Sequence, residues 1–355
     1  MRMDIVKLKI RTITAAASLL LAGPALAACA GTASSSSGGA GGTVTLSLVA
    51  YSTPQAAYEK LIAAFRKTDA GKNVKFTQSY GASGDQSRAV AAGLKADLVA
   101  FSLEPDITRL VTAGLVDKGW NSDQYKGMIT DSVAVIGTRK GNPKNLKDWD
   151  DLTRPGVQVL TPNPFVSGGA KWNILAGYGA KSDKGKDPAA GGAYLQALFA
   201  NVPVQDSSAR ASLQTFTGGK GDAIISYENE AIFGQQNNQA IDYTVPDATI
   251  LIENPIAVTT TSAHPVQAKA FLDFLHTATA QKIYAEAGYR PVVAGVGGPT
   301  FPTPAKLFTI ADLGGWSKVN KDLFDPMVSV MASIEQGLGV ATSVAPSTSA
   351  SPTAK

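Results

Sequence analysis

The sequence predicts an α/β protein that is divided into two lobes. Short apolar segments with the composition of strands alternate with segments of helical periodicity from about residue 43 to residue 340. This alternation is typical of α/β folds with mainly parallel sheets. The pattern continues for nearly 300 residues, which is more than one open sheet comfortably accommodates. We therefore expect two lobes rather than one.

Seven segments are predicted to be strands because they are short, apolar and rich in β-branched residues. They lie at 43–51, 73–80, 96–101, 132–139, 157–162, 223–227 and 256–261. A helix is predicted after the first strand, since its apolar residues share the i, i+3, i+4, i+7 spacing of one face. These are Tyr58, Leu61, Ile62 and Phe65. Ser52 or Thr53 is the expected N-cap, with Pro54 in the first turn.

The first 29 residues have the pattern of an export signal. Basic residues at positions 2, 7, 9 and 11 precede an apolar run at 12–28 that is too short for a membrane-spanning helix. The run ends in the sequence LAAC at 26–29, which resembles the bacterial lipobox, in which the cysteine is lipidated and becomes the mature N-terminus. A diacylated Cys29 would anchor the chain to the outer face of the cytoplasmic membrane. The alternative is an ordinary signal peptide cut at A-x-A.

Low-complexity segments flank the body, and the net charge gives no reason to expect a nucleic-acid partner. Residues 30–42 are rich in Gly and Ser and predict a flexible tether. Residues 326–355 are expected to form a C-terminal helix and a disordered tail rich in Ser, Thr, Pro and Ala. The formal net charge is +4, but the 28 residues of the signal carry four basic residues and one acidic residue, which leaves the mature chain near +1. No basic stripe with interleaved aromatic residues remains.

Motifs of catalysis and of cofactor binding are missing from the sequence. Neither G-x-x-x-x-G-K-[ST] nor G-x-G-x-x-G occurs at a strand–helix junction, and the Ser-Gly-Gly at 167–169 is not the G-x-S-x-G of a nucleophile elbow. Cys29 is the only cysteine, so we expect neither a disulfide nor a Cys/His metal site. His264 and His276 lie in stretches with no acid–nucleophile pattern. A hydrolase that uses Ser167 is therefore a remote alternative.

Small residues recur at four predicted helix starts. They stand at 52–54, 81–84, 167–170 and 207–210. A helix N-terminus presents free N–H groups and the positive end of the helix dipole, and small residues let an anion approach that backbone closely. Four such turns brought together would form an anion site lined by hydrogen-bond donors. Whether they converge is left open by the sequence.

Several long motifs resemble the sulfate-binding proteins of bacterial ABC importers. The resemblance covers about residues 45–325 and is carried by PGVQVLTP followed by NPFVSGGAKWN, and by GTRKGNPKNLKDWDDL, YGASGDQ, QDSSARASLQTF, ISYENEA, YRPV and LFTIADLGGW. It implies a type II periplasmic-binding-protein fold, in which two α/β lobes joined by a hinge close over ligand in a cleft. The chain would cross between the lobes twice, with 43–137 and 252–325 in one lobe and 138–251 in the other.

The resemblance also implies a set of sulfate donors, residue by residue. The expected sulfate-binding residues are Ser52, Ser83, Ser167, Gly168, Gly169, Ala209 and Tyr227. Tyr227 is a departure, because the family usually has tryptophan in the corresponding A-W-E-N-E segment. A tyrosine hydroxyl donates a hydrogen bond but also accepts one, so a packing role for Tyr227 stays open.

Four further residues near these donors have expected roles that leave the anion untouched. Asp85 is expected to stabilise the first turn of its helix and to point away from the cleft. Glu228 is expected, by strand alternation, to face away from Tyr227. Arg210 is expected to order the loop around Ala209, with a surface position as the alternative, and Trp172 to pack its helix onto the sheet.

The function that the resemblance implies is transport without catalysis. We expect a monomeric lipoprotein that captures sulfate outside the cell and delivers it to a permease powered by a cytoplasmic ATPase, with no cofactor and no metal. Sulfate is fully deprotonated and needs only donors, whereas phosphate keeps a proton that requires an acceptor. Thiosulfate, molybdate and phosphate are the alternative ligands, and a structural or adhesive lipoprotein with a degenerate site is a further alternative.

Overall fold

Ten strands and eleven α-helices follow one another along residues 42–342, the residues that the computed structural model describes. The strands are β1 Val44–Tyr51, β2 Val74–Gly81, β3 Leu98–Ala100, β4 Met128–Arg139, β5 Val159–Leu160, β6 Ala223–Tyr227, β7 Ile241–Thr244, β8 Ala248–Val258, β9 Arg290–Pro291 and β10 Lys306–Phe308. The helices are α1 Gln55–Phe65, α2 Ser83–Ala91, α3 Glu104–Thr112, α4 Gly168–Lys181, α5 Pro188–Phe199, α6 Ala209–Thr217, α7 Glu228–Gln236, α8 Pro265–Leu275, α9 Ala278–Glu286, α10 Gly315–Phe324 and α11 Val330–Gly337. Short 3₁₀-helices lie at Trp149–Thr153 and Ala311–Leu313.

Each of the seven predicted strands overlaps a strand of the structure, but the prediction of mainly parallel sheets is wrong. The strands run in the order β2-β1-β3-β8-β4-β6-β5, with β7, β9 and β10 added beside β4 and β8. The pairs β1–β2, β1–β3, β5–β6 and β8–β10 are parallel, and every pair of β4 is antiparallel. The sequence pattern indicated only the end of β8, at 256–258. The rest of this long strand, which pairs antiparallel with β4, was not predicted.

The two strands β4 and β8 join two lobes, which confirms the predicted two-lobed α/β fold. The end of β8 at 256–258 pairs with β3 in the first lobe, and β4 at 134–138 pairs with β6 in the second. Between these ends β4 and β8 pair with each other, with Val133 opposite Leu251. Both strands are therefore the connections through which the lobes can move relative to each other. The division at 137/138 and 251/252 remains a prediction.

The C-terminal part of the chain lies on the second lobe, in contrast to the expectation that 252–325 belongs to the first. Strand β10 pairs with β8 at 248–250. Phe308 of β10 and Phe324 of α10 are buried in the same core as Trp172 of α4. The chain thus passes between the lobes a third time, between β9 and β10. The apolar side chains of 306–324 give the reason, because they cover a face of α4 that would otherwise meet water.

The core of the first lobe is centred on Phe65, the last residue of α1. Its ring centroid lies 5.1 Å from that of Phe271, 5.4 Å from that of Phe274 and 6.3 Å from that of Phe76. All four residues of the predicted helical face are buried. The expected N-cap is wrong, because Pro54 occupies that position and no side chain caps the helix.

Two carboxylates face each other on the connecting strands. Asp131 of β4 is the cross-strand partner of Glu253 of β8, and Arg290 of β9 is the other partner of Asp131. Burial and the nearby Glu253 raise the pKa of Asp131 to about 7, against the opposing effect of Arg290. Burial likewise raises the pKa of Glu253. The folded chain therefore holds the Asp131 proton more tightly than the unfolded chain does.

The predicted signal, Cys29, nearly all of the tether and residues 343–355 of the C-terminal segment lie outside the described residues. Within 42–342 no helix combines the length and the apolar character that crossing a membrane requires. The one tail element that the structure describes is α11, which fits the expected C-terminal helix.

We predict that Phe65→Ala lowers the free energy of unfolding by about 3–5 kcal/mol, because it removes a buried ring and leaves a cavity among three aromatic neighbours. Urea denaturation followed by circular dichroism measures this change. Val266→Ala is the matched control, since Val266 is 75% exposed. A loss of similar size in both variants would contradict the proposed packing.

We predict that Asp131→Asn stabilises the chain more at pH 8 than at pH 4. The folded-state pKa of about 7 lies above the ordinary value of 3.8, so the contribution of Asp131 to stability is fully present below about pH 3.8 and is lost as the pH rises toward 7. The advantage of the asparagine variant should grow by roughly 1 kcal/mol per pH unit across that window. Urea denaturation at each pH measures it, and a constant difference from pH 4 to pH 8 would contradict the prediction.

Candidate functional site

The N-termini of four helices meet around one small cavity in the cleft between the lobes. Helices α1 and α2 come from the first lobe, and α4 and α6 from the second. The cavity has a volume of only about 10 Å³, far below the roughly 300–1,000 Å³ of a pocket for a drug-sized molecule. It leaves room for no more than one small ligand. The convergence that the sequence left open is therefore present.

Six of the seven residues expected to bind the ligand line this cavity. They are Ser52, Ser83, Ser167, Gly169, Ala209 and Tyr227. Gly168, the seventh, is the first residue of α4 and lies against the wall rather than in it: a Cβ at Gly168 would lie 2.1 Å from Ser102 Oγ. A Cβ at Gly169 would lie 3.2 Å from that of Ala209. Glycine at both positions lets the start of α4 approach residues of the opposite wall closely.

Two of the helices are capped by serines whose hydroxyl protons remain available. Ser167 Oγ accepts a hydrogen bond from the backbone N–H of Ala170 at 3.3 Å, and Ser208 Oγ accepts one from Ala211 at 3.2 Å. A hydroxyl that accepts in this way still has its own proton to donate. The Ser167 hydroxyl can therefore cap α4 and donate into the cavity at the same time.

Ser83 differs from this arrangement. Its hydroxyl donates to the buried carboxylate of Asp106 at 2.6 Å and accepts from the backbone N–H of Ser102 at 3.0 Å. The proton is thus directed to Asp106, away from the cavity. What Ser83 offers a ligand is its backbone N–H, at the first position of α2, where helical N–H groups have no intrahelical partner.

Among the described residues, no charged side chain lines the cavity. Asp85 is exposed and pairs with Arg88 at 2.6 Å, in agreement with its expected position. Glu228 is buried and pairs with Arg290 at 2.8 Å. The strand-alternation argument for Glu228 is wrong, since the chain turns into α7 at this residue, but the side chain does point elsewhere. The cavity wall is therefore polar and neutral.

Arg210 connects the two lobes from behind the wall. Its guanidinium pairs with the fully buried Glu230 through two hydrogen bonds of 2.7 and 2.9 Å, and it donates to the backbone oxygen of Thr53 at 2.8 Å. It also lies over the ring of Phe233 at 3.8 Å. The alternative of a surface position for Arg210 is wrong, whereas its ordering of the loop around Ala209 stays a prediction. Its charge is satisfied by Glu230, so the guanidinium stays away from the cavity.

Trp172 makes a second connection between the lobes. The side chain is completely buried, packs edge-on against Trp316, and donates from Nε1 to the backbone oxygen of Ser102 at 2.7 Å. The expected packing role is confirmed, and the bond to Ser102 is additional. Through Trp172 and Arg210, the second lobe holds the backbone of two residues that line the cavity from the first lobe.

Two residues of the cavity wall were not foreseen, Tyr51 and Ser102. Ser102 lies between the end of β3 at Ala100 and the start of α3 at Glu104, so it stands at a strand–helix junction like the predicted residues. That position was a usable signal, but the Leu-Glu-Pro that follows Ser102 lacks the run of small residues by which the other helix starts were recognised. Tyr51 is the last residue of β1 and gave no signal, because its apolar ring fitted the strand pattern.

A larger groove lies elsewhere on the second lobe. It has a volume of about 590 Å³ and lies between α5 and α11, with a lining of mainly apolar and small residues, among them Phe199, Val330, Ile334 and Leu338. None of the predicted residues contributes to it. Its lining has no converging helix N-termini, so its chemistry differs from that of the cavity.

Comparison with known proteins identifies the family. The model of the bacterial extracellular solute-binding protein family matches residues 46–290. The chain is 43% identical to a sulfate-binding protein of Synechococcus elongatus, over 84% of this chain and 89% of that protein. It is 33% identical to a thiosulfate-binding protein of Escherichia coli, over 73% of this chain and 80% of that protein. Among solved structures it resembles the sulfate-binding protein SubI of Mycobacterium tuberculosis, with a TM-score of 0.77 and 48% identity over 79% of this chain and all of that one.

The chain belongs to the bacterial extracellular solute-binding proteins. This membership confirms a binding protein rather than an enzyme. The hydrolase alternative is therefore excluded. The geometry also gives Ser167 no general base, because neither histidine lines the cavity. The ring nitrogens of His276 lie 3.3 and 3.1 Å from the backbone oxygens of Leu272 and Met128. The family is extracellular, in agreement with the expected location outside the cytoplasm.

We predict that Arg210→Leu lowers the free energy of unfolding of this solute-binding protein by about 3–5 kcal/mol. The change leaves the carboxylate of Glu230 buried without its partner, and breaking a buried pair is far more costly than breaking an exposed one. Arg88→Leu is the matched control, because the Arg88–Asp85 pair is exposed and its loss should cost less than about 1 kcal/mol. Urea denaturation of both variants measures the difference, and equal losses would contradict the prediction.

Proposed function

We propose that this solute-binding protein captures sulfate outside the cytoplasmic membrane and delivers it to an ABC importer. One observation carries the proposal: a small, neutral cavity is lined by donors at the N-termini of four helices and is enclosed by both lobes. The proposed donors are Ser52, Ser83, Ser167, Gly168, Gly169, Ala209 and Tyr227. The sulfate-binding relatives support the same assignment.

The neutral wall favours a dianion that brings no proton of its own. Aligned N–H groups and helix dipoles disperse a double negative charge without a cationic side chain. Phosphate keeps at least one proton between pH 5 and 8, and no carboxylate lines the cavity to accept a hydrogen bond from it. A buried polar group without a partner costs about 1–3 kcal/mol. The absence of an acidic residue therefore selects for sulfate.

Closure of the lobes is the proposed signal for delivery. A ligand that contacts both lobes stabilises the closed state, and the bonds from Arg210 to Thr53 and from Trp172 to Ser102 join the lobes in that state. The closed form would dock on a permease driven by a cytoplasmic ATPase. A monomer suffices for this role, because the described chain supplies every donor of the site.

The proposed anchor is a lipid on Cys29, followed by the tether at 30–42. This proposal rests on the lipobox-like LAAC and on the Gly/Ser composition of the tether. It places the binding protein at the outer face of the cytoplasmic membrane, within reach of the permease.

Thiosulfate is the second candidate ligand. The thiosulfate-binding protein of Escherichia coli is a relative of this chain, and thiosulfate is also a dianion that needs only donors. It differs from sulfate in that a sulfur atom replaces one oxygen. This sulfur is larger than oxygen and is a weaker hydrogen-bond acceptor. The small volume of the cavity therefore favours sulfate, and competition between the two ligands measures the preference.

We predict that isothermal titration calorimetry shows tight binding of sulfate to the purified chain, with an affinity that changes little between pH 5 and pH 8. Neither sulfate nor the groups that line the cavity change their charge in that range, since burial raises the pKa of Tyr227 well above its ordinary value of 10. Phosphate should bind at least about 10-fold more weakly at every pH.

The same titration with thiosulfate and molybdate ranks the alternatives. Phosphate binding as tight as sulfate binding contradicts the proposed selectivity, and binding of none of the four anions contradicts the proposed function. If thiosulfate or molybdate binds more tightly than sulfate, that anion is the main ligand and the proposal of sulfate is wrong.

A further inference from the structure

Three hydroxyl groups in the cavity wall have no hydrogen-bond partner among residues 42–342, and two of them face each other from different lobes. These two are Ser102 Oγ from the first lobe and Tyr227 OH from the second. Both residues are only 1% exposed. Most buried hydroxyl groups in proteins have a partner, because an unsatisfied one costs about 1–3 kcal/mol. Two in one small cavity indicate that the missing partner is what the cavity binds.

The backbone of Ser102 is held on both sides. Its N–H donates to Ser83 Oγ at 3.0 Å, and its carbonyl accepts from Trp172 Nε1 at 2.7 Å and from Asn254 Nδ2 at 3.1 Å. These three residues come from α2, α4 and β8, so elements of both lobes position Ser102. The side chain is the one polar part of the residue that the surrounding protein leaves unsatisfied.

The hydroxyl of Ser102 also lies against the start of α4. A Cβ added to Gly168 would lie only 2.1 Å from Ser102 Oγ and 2.8 Å from Leu103 Cδ2. The glycine therefore leaves room for this serine, and the serine comes close to the N–H groups that open α4. A ligand held by α4 is within the reach of Ser102.

Tyr227 occupies the opposite side of the cleft. It ends β6, and its Cε1 atom lies 3.7 Å from the position of a Cβ on Gly169. Burial raises its pKa well above 10, although Ser102 and Asn254 lie near enough to lower it in part. Tyr227 is therefore protonated at neutral pH. Asn254 is already engaged, since its amide donates to Ser102 and its oxygen accepts from Thr130 at 3.3 Å.

Tyr51 has a third unsatisfied hydroxyl in the wall but a different environment. It lies close to Thr53 and Tyr289, which lower its pKa in part, and these two hydroxyls are 3.1 Å apart. A small rotation gives Tyr51 a partner within that group. Ser102 and Tyr227 lie close to each other, but a hydrogen bond between the two hydroxyls uses only one of their two protons, so the other is left to donate into the cavity.

We infer that Ser102 and Tyr227 form a pair of ligand-binding hydroxyls, one from each lobe, that donate directly to the anion in the cavity. The inference rests on the proposed function and adds Ser102 to its donors. Because the two hydroxyls belong to different lobes, the anion receives both hydrogen bonds only when the cleft is closed. The pair therefore stabilises the closed state and slows the release of the ligand.

The test is sulfate binding by the purified full chain and by the variants Ser102→Ala, Tyr227→Phe and the double variant. A hydrogen bond to a charged group is worth enough for each single change to weaken sulfate binding by at least about 10-fold. The loss should appear mainly as faster dissociation in stopped-flow measurements, and the double variant should bind more weakly than either single variant, without strict additivity because the two residues are neighbours that share the anion.

Matched controls separate ligand binding from folding. Ser226→Ala and Tyr284→Phe remove buried hydroxyls that also have no partner among the described residues but do not line the cavity. Both controls should bind sulfate as the unmodified chain does. Thermal unfolding without ligand checks that each variant is folded, and the rise in melting temperature on adding sulfate should shrink only for the two cavity variants.

Each outcome decides a different point. An unmodified chain that does not bind sulfate contradicts the proposed function itself. If the unmodified chain binds and folded Ser102→Ala binds equally well, only the present inference is wrong. If the double variant binds as Tyr227→Phe does, Ser102 merely orients Tyr227 and its direct role is overturned.

Discussion

The proposed function places one constraint on the rest of the structure: a negative charge must be buried without a cationic side chain. Moving a charged group out of water is costly unless polar groups replace the hydration shell. Here the replacement consists of helix N-termini and hydroxyls, whose partial charges act only at short range and in the right direction. They must therefore be aimed at one point. The two lobes, the pair of long connecting strands and the close contacts of Gly168 and Gly169 together bring these donors to one point.

Charged residues are present near the cavity, but they are paired with one another behind its wall. Arg210 is satisfied by Glu230, Arg290 by Glu228, and the carboxylate of Asp106 accepts from Ser83 and pairs with Arg109 at 2.8 Å. Each pair takes a carboxylate out of reach of the ligand. A free carboxylate at the wall would repel a dianion and would accept the proton of phosphate. The pairing thus protects the proposed selectivity for a dianion without a proton.

Two side chains behind the cavity wall also connect the lobes. Arg210 donates across the cleft to the backbone of Thr53, and Trp172 donates across it to the backbone of Ser102. Both acceptors are carbonyl groups of residues that line the cavity. Closure of the cleft and arrangement of the wall are therefore one event, because the bonds that hold the lobes together also fix the residues that face the ligand.

Local patterns in the sequence determined much of this protein. Seven strand positions, the buried face of α1 and the four helix starts follow from residue spacing and small-residue turns, which act over a few residues. Five of the six proposed donors that line the cavity stand at these small-residue turns, although the resemblance to sulfate-binding proteins was what named them as donors. The resemblance to sulfate-binding proteins supplied Tyr227, which has no local signature.

Only the tertiary structure decided what depends on contacts between distant segments. The antiparallel strands β4 and β8, the return of 306–324 to the second lobe and the engagement of the Ser83 hydroxyl by Asp106 all join residues far apart in the chain. A local pattern has no information about such partners. Ser102 is the clearest case: its sequence context shows a junction between a strand and a helix, but the three backbone hydrogen bonds that fix the position of its hydroxyl form only in the folded chain.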